Sequence, residues 1–374
     1  MSEIERHSFD VVVIGAGGAG LRAAIEARMQ GKRVAIVCKS LFGKAHTVMA
    51  EGGIAAAMGN VNPHDNWQVH FRDTMRGGKF LNSWRMAELH AKEAPTRVWE
   101  LETYGALFDR TPDGKISQRN FGGHEYPRLA HVGDRSGLEL IRTLQQKIVS
   151  LQQDDFAVTG DYESHLKVFA ECTVTELILD ESTGTPRVVG AFGYWRETGD
   201  FIVFEAPAVI LATGGIGKSF KVTSNSWEYT GDGHALAYEA GAELIDMEFI
   251  QFHPTGMVWP PSVRGILVTE GVRGDGGILL NNKNRRFMFD NIPPKFAAET
   301  ADTEEEANRW LAGDKSARRP PELLTRDEVA HTTRCLGVLD FEAQQRNTTA
   351  WTGTTFVAYA EDDPFIEHEV MEEH

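Results

Sequence analysis

Cysteine is scarce in this chain of 374 residues. There are three, Cys38, Cys172 and Cys335, far apart and with no C-x-x-C pair. An odd, scattered set is no disulfide framework and points to a reducing compartment. It also falls short of the four thiolates that an iron–sulfur cluster takes from one chain. No apolar run approaches the roughly 20 residues that cross a bilayer. The opening Met1-Ser2-Glu3-Ile4-Glu5-Arg6 is polar and acidic, without the apolar stretch of a secretory leader. We therefore expect a cytoplasmic protein that meets a membrane only through a partner. No block of Lys and Arg interleaves with aromatics and the net charge is −16, so no nucleic-acid partner is expected. No metal site is assigned. What remains, 41% hydrophobic and 25% charged residues, is the composition of a globular protein long enough for two domains.

The chain is rich in glycine, and its first glycines carry the most information. Phe9-Asp10-Val11-Val12-Val13-Ile14 is an apolar, β-branched run. It breaks into Gly15-Ala16-Gly17-Gly18-Ala19-Gly20 and then into a helical pattern, Leu21 to Ala27. Strand, G-x-G-x-x-G and helix in that order make a dinucleotide-binding turn. Gly15 allows the turn, Gly17 lets the backbone approach a pyrophosphate, and Gly20 lets helix and strand pack closely. The second strand, Arg33 to Cys38, ends in Lys39-Ser40 where the ordinary fingerprint has an acid for the ribose hydroxyl. That counts against a plain NAD site and leaves NADP open.

Further along, helical spacing covers Trp84–Tyr104, with Ala87, Leu89, Ala91, Ala94, Val98 and Leu101 as its apolar positions, and Leu138–Leu151, with Asp134 and Ser136 as caps. Alternation predicts strands over Val168–Leu179 and Val188–Phe204, as in a meander. Ala208-Val209-Ile210-Leu211 reads as a buried parallel strand entering the turn Ala212-Thr213-Gly214-Gly215. Its return to the first unit implies one sheet built from distant segments. Pro- and Gly-rich texture begins near residue 250, where we place a domain boundary.

Three stretches are specific. Ser40-Leu41-Phe42-Gly43-Lys44-Ala45-His46-Thr47-Val48-Met49-Ala50-Glu51-Gly52-Gly53-Ile54 resembles the flavoprotein subunits of succinate dehydrogenase and fumarate reductase. So do Gln251-Phe252-His253-Pro254-Thr255-Gly256 and Val268-Thr269-Glu270-Gly271-Val272-Arg273-Gly274. The resemblance runs in order from about residue 8 to Ala330 and is strongest to the actinobacterial-type branch. This family also lacks the acid after the second strand.

The resemblance implies an α/β fold: an FAD-binding Rossmann-like domain of the glutathione-reductase type over 1–250, missing its usual C-terminal segment, and a partial α+β capping domain over 251–330. It implies FAD bonded covalently to His46, with Gly15–Gly20, Lys39, Ser40, Thr47, Gly52, Gly53, Ala212, Thr213, Gly214 and Asp232 around the cofactor. It implies that His253 and Thr269 hold the carboxylates of succinate or fumarate. Arg326, in Arg326-Asp327-Glu328, would take the proton, relayed by Glu270 and Arg273. A guanidinium is a poor base by itself, since its pKa exceeds about 12, so that role needs the relay. Electrons would pass to an iron–sulfur subunit, then to a membrane cytochrome b anchor, which places the chain on the inner face of the cell membrane.

After Ala330 the family pattern stops. A second substrate histidine and a clamping arginine are not found. Residues 331–374 read instead as an acidic, solvated tail, with seven acids and no Lys or Arg from Glu361 to His374. The chain thus resembles a family member cut short. An inactive FAD-binding remnant, or a related soluble enzyme such as L-aspartate oxidase or fumarate reductase, is the alternative.

Overall fold

The computed structural model describes residues 4–120, 124–182, 184–249, 256–257, 260–268, 277–281, 283–292, 294–312, 314, 316–323, 338–339 and 356–359. The chain opens on β1 (Glu5–Ser8), β2 (Val11–Ile14), α1 (Gly18–Met29) and β3 (Val34–Cys38). Then come β4 (Ile54–Ala55), α2 (Trp67–Gly77), α3 (Trp84–Thr103), β5 (Gln118–Arg119), β6 (Leu129–Ala130) and α4 (Ser136–Thr159). Next are β7 (Leu166–Ala170), β8 (Cys172–Asp180), β9 (Arg187–Trp195), β10 (Phe201–Glu205), β11 (Ala208–Leu211) and α5 (Asp232–Glu239). Last are β12 (Ile278–Asn281), α6 (Glu304–Leu311), β13 (Val338–Leu339) and β14 (Phe356–Tyr359).

The central sheet runs β11-β2-β3-β7, parallel throughout. Val11 faces Val34 on one side and Ala208 on the other, so the sheet does join distant segments. Every residue of β3 is buried, as a parallel strand covered on both faces requires. Alternate side chains divide between the two covers. Val13, Val34 and Ile36 pack with Leu21 and Ile25 of α1 and with Ile141, Leu144 and Ile148 of α4. Val12, Ile14, Ala35 and Val37 pack with Val174, Leu177, Ala191, Ile202 and Phe204 of a second sheet. That second sheet is the meander β8-β9-β10, with β1 added in parallel beside β10. A small sheet, β4-β6-β5, sits beside the pair α2 and α3.

Five sequence expectations change. β11, expected as a buried parallel strand, is parallel but not buried: among the described residues it is the edge of its sheet, its residues alternate exposed and half-buried, and Ile210 is 36% exposed. The run Val168–Leu179 is two strands in two sheets. Glu171 takes a left-handed φ of 57° between them, a break that alternation cannot show in a non-glycine residue. Helix α4 continues beyond Leu151 to Thr159 and ends on Gly160, φ 76°. Its polar last turns hide an inward face, where buried Asp155 pairs with Arg28 of α1. Asp134 and Ser136 do not cap α4: Asp134 accepts from Arg119 (3.0 Å), and the Ser136 hydroxyl lies 3.4 Å from the Glu51 carbonyl. Leu89 is exposed, while Ala87, Ala91, Ala94, Val98 and Leu101 form the buried stripe of α3.

Beyond residue 250, β12 pairs in parallel with β14, which pairs antiparallel with β13. Two pieces of the stretch expected as a solvated tail are therefore strands; the rest of 331–374 lies outside the described residues. No helix among the described residues is long and apolar enough to cross a membrane.

Candidate dinucleotide cleft

A cleft with a cavity volume of about 180 Å³ opens beyond the carboxyl ends of β2, β3 and β11, where an open parallel sheet receives ligands. Its floor is the turn Gly15–Ala19. Gly15 has φ +117°, and a Cβ there would stand 2.2 Å from the Ala212 carbonyl oxygen; a Cβ on Gly20 would stand 2.0 Å from the Gly15 carbonyl oxygen. Those two glycines are demanded by the protein's own packing. Gly17 is different. A Cβ there would meet nothing nearer than Ala45 Cβ and Thr47 Oγ1, both at 3.4 Å, so its bare backbone serves the cleft.

The N-terminus of α1 faces this space. The Gly18 amide donates to Thr47 Oγ1 (3.1 Å), and no acid occupies the first turn. Such an end favours an anionic group. Turn and helix end together fit a dinucleotide's pyrophosphate.

At the end of β3, Lys39 Nζ lies 2.7 Å from Asp232 Oδ2 and also reaches Thr230 Oγ1. Asp232 is the first residue of α5, but its side chain turns to the cleft and does not cap the helix. Burial alone would raise its pKa, yet the hydrogen bonds from Lys39 and Thr230 prevail and hold the carboxyl below the usual range. Ser40 is buried, with its hydroxyl 3.5 Å from the Lys44 carbonyl. Cys38 and Cys172 also line the wall, where burial pushes both thiols up to about 12, so they stay protonated.

His46 begins a 3-10 turn on the opposite wall. The Ser226 amide donates to its Nδ1 (3.2 Å), and the Tyr229 ring lies 4.4 Å from its own, tilted by 42°. Burial lowers its pKa, so the imidazole is neutral near pH 7. With Nδ1 accepting, Nε2 carries the ring proton.

Gly15–Ala19, Lys39, Ser40, His46, Thr47, Ala212, Thr213, Gly214 and Asp232 thus converge on one cleft. Gly20 supports it from beneath. Gly52 and Gly53 do not line it. The Gly52 carbonyl accepts from Arg119 Nε (2.9 Å), and Gly53 packs against the Ala130 carbonyl of β6. Sequence reasoning missed Tyr229, Glu228 and Lys44, all of which line the cleft. The first two lie in an aperiodic loop; their only signal is nearness to Thr230-Gly231-Asp232. His253, Thr269, Glu270, Arg273 and Arg326 lie outside the described residues.

A family model described as an FAD binding domain matches residues 10–345. The matching chain of the fumarate reductase (CoM/CoB) of Methanothermobacter marburgensis is 46% identical over 287 residues, 76% of this chain and 49% of that protein. Among solved structures, the Mycobacterium smegmatis Sdh1 complex in its apo form matches with TM-score 0.70 and 79% identity, covering 75% of this chain and 46% of that one. FrdA of Escherichia coli quinol fumarate reductase, in a point-mutant form, matches with TM-score 0.73 and 32% identity over 92% of this chain and 52% of that one. The chain spans about half the length of the curated relatives it matches. A cleft built for a dinucleotide and a family model that spans it agree, and the chain belongs to the family of FAD binding domains.

Proposed function

We propose that this chain carries the FAD of a succinate dehydrogenase or fumarate reductase flavoprotein, interconverting succinate and fumarate and passing electrons to an iron–sulfur subunit. The observation that carries the reading is His46. Its imidazole stands in the wall of the FAD cleft, neutral, with Nδ1 engaged by Ser226. With Nδ1 held by the Ser226 amide, Nε2 is the ring nitrogen left for a covalent bond to the flavin, which it would form on giving up its proton. The names of the relatives from M. marburgensis and E. coli support the substrate pair. A peripheral place at the membrane, reached through partner subunits, goes with the same reading.

FAD, when bound, supplies the hydride acceptor. The chain's own residues do the rest. The α1 N-terminus takes the pyrophosphate, and Lys39 and Asp232 stand at the adenosine end. His253 and Thr269 donate to the substrate's carboxylates, because a dianion needs charge-assisted donors at both ends. Arg326 takes the proton from the carbon next to the one that loses hydride, with Glu270 and Arg273 relaying it onward.

The test is the intact mass of the purified, denatured chain, with flavin fluorescence read on the same band. The reading expects an increment of one FAD, lost in His46→Ala, and succinate-dependent dye reduction by the chain in its complex. FAD that dissociates on denaturation would favour a soluble relative such as L-aspartate oxidase. Bound FAD without any dye reduction would leave an FAD-carrying remnant.

A further inference from the structure

The turn that joins α2 to α3 shows an apolar and basic face to solvent. Of residues 76–86 all but Asn82 are exposed. Phe80 is 70% exposed, Leu81 67%, Met86 64% and Trp84 54%. Such a cluster of large apolar side chains marks a contact surface. The chain holds it in place. Lys79 (φ 52°) and Phe80 (φ 62°) take the left-handed conformation, while Gly78 just before them does not (φ −77°). That backbone is costly for a lysine and for a bulky phenylalanine, and it persists only where the surroundings impose it. The Lys79 amide donates to the Arg76 carbonyl (3.1 Å), the Phe80 amide to the Met75 carbonyl (2.9 Å), and Asn82 Nδ2 to the Thr74 carbonyl (3.3 Å). The charge of this face is of one sign. It holds Arg76, Lys79 and Arg85, with no acid between Asp73 and Glu88. None of these three side chains pairs with a carboxylate among the described residues; Arg85 lies over the Trp84 ring at 5.3 Å. Unmatched cations beside exposed apolar side chains call for an occupant that is acidic and partly apolar.

We propose that residues 361–374 of the same chain dock on this turn. They hold seven acids, no Lys or Arg, and the apolar Phe365, Ile366, Val370 and Met371. Charge and apolar content both complement the turn. The segment follows β14, which ends at Tyr359, and the residues from 360 to 374 span at most about 50 Å when extended. The covalent link raises the local concentration of the acids to the order of millimolar, so weak surface contacts suffice. An anionic membrane would meet the same cations, but the chain's net charge of −16 repels it. The contact is independent of what fills the dinucleotide cleft, since no residue of the turn lines it.

The experiment uses the full chain with p-benzoylphenylalanine in place of Phe80, irradiated in dilute solution and mapped by mass spectrometry of its peptides. The expected adduct joins position 80 to a peptide from 361–374 within one chain. Its yield should fall at least about fivefold between about 0.1 M and about 1 M NaCl, as the Debye length shrinks from about 10 Å to about 3 Å. Arg76→Glu, Lys79→Glu and Arg85→Glu together should lower it as far at low salt, with circular dichroism checking the fold. If that triple variant does not fold, Glu367→Lys with Glu369→Lys carries the test, because it leaves the turn untouched. No adduct to 361–374, an adduct that joins two chains, or a yield unmoved by salt or by charge reversal overturns the inference. So does an adduct to lipid in its place when phosphatidylglycerol vesicles are present.

Discussion

At the scale of single residues, the glycines of the first turn separate fold from function. Gly15→Ala forces a side chain into a backbone with φ +117° and against the Ala212 carbonyl. We expect a loss of at least about 2 kcal/mol in urea unfolding at an unchanged slope. Gly17→Ala adds a Cβ with only ordinary neighbours, at a helix N-cap whose φ of −81° suits alanine. It should cost under about 1 kcal/mol in the same assay while FAD uptake by the purified chain falls sharply. Equal stability losses in the two variants would refute this division. The sequence makes these roles legible because glycines at fixed spacing after a β-branched run specify one kind of turn. It hides Tyr229, which meets His46 from a loop with no periodicity, and it hides the pairing of Lys39 with Asp232, since nothing local to Lys39 announces an acid 193 residues away.

At the scale of elements, the segment that follows His46 is held from outside. Arg119 of β5 donates to the carbonyls of Glu51, Gly52 and Gly133 and pairs with Asp134. The α4 N-terminus adds the Gly137 amide, which donates to the Ala50 carbonyl (2.7 Å). Arg119→Met should cost roughly 2 kcal/mol, since it strips charge-assisted bonds from backbone acceptors. It should also lower the fraction of chain that retains flavin after denaturation. An unchanged fraction would show that the segment keeps its place without Arg119. Strands and helices with clean periodicity, such as β3 and α3, were legible in the sequence. The division of Val168–Leu179 was not, because a single left-handed residue, Glu171, moves the chain from one sheet to the other without disturbing the alternation.

At the scale of the whole molecule, acid stability should be set by a buried cluster whose residues do not line the dinucleotide cleft. Arg128 is fully buried and bonds Asp65 and Asp73, each at 2.9 Å. Arg128→Met leaves two buried carboxylates without their cation and should cost about 3–5 kcal/mol. His70 lies close to Arg128; burial first, and then the Arg128 charge, lowers its pKa to about 3 and that of His124 to about 4. In the unfolded chain both take up protons near pH 6.5. Between pH 6.5 and about 4 the unfolded state therefore holds more protons, and stability falls as pH falls through that window. Asp65, which burial raises, offsets part of this at the acid end. Urea midpoints at pH 7.5 and 5.5 should differ, and His70→Gln should flatten the difference; a flat profile in the parent would disprove the assignment. The parallel sheet also governs the order of assembly. Strand β2 must wait for β11, about two hundred residues later, before its second edge is covered. At ribosomal rates of about 5–20 residues per second that delay is on the order of 10–40 s. The first strand of the sheet to be made thus remains half-open for much of synthesis. The nascent chain is most exposed to chaperones and to misassembly during that interval, and it becomes able to capture its cofactor only after β11 has emerged.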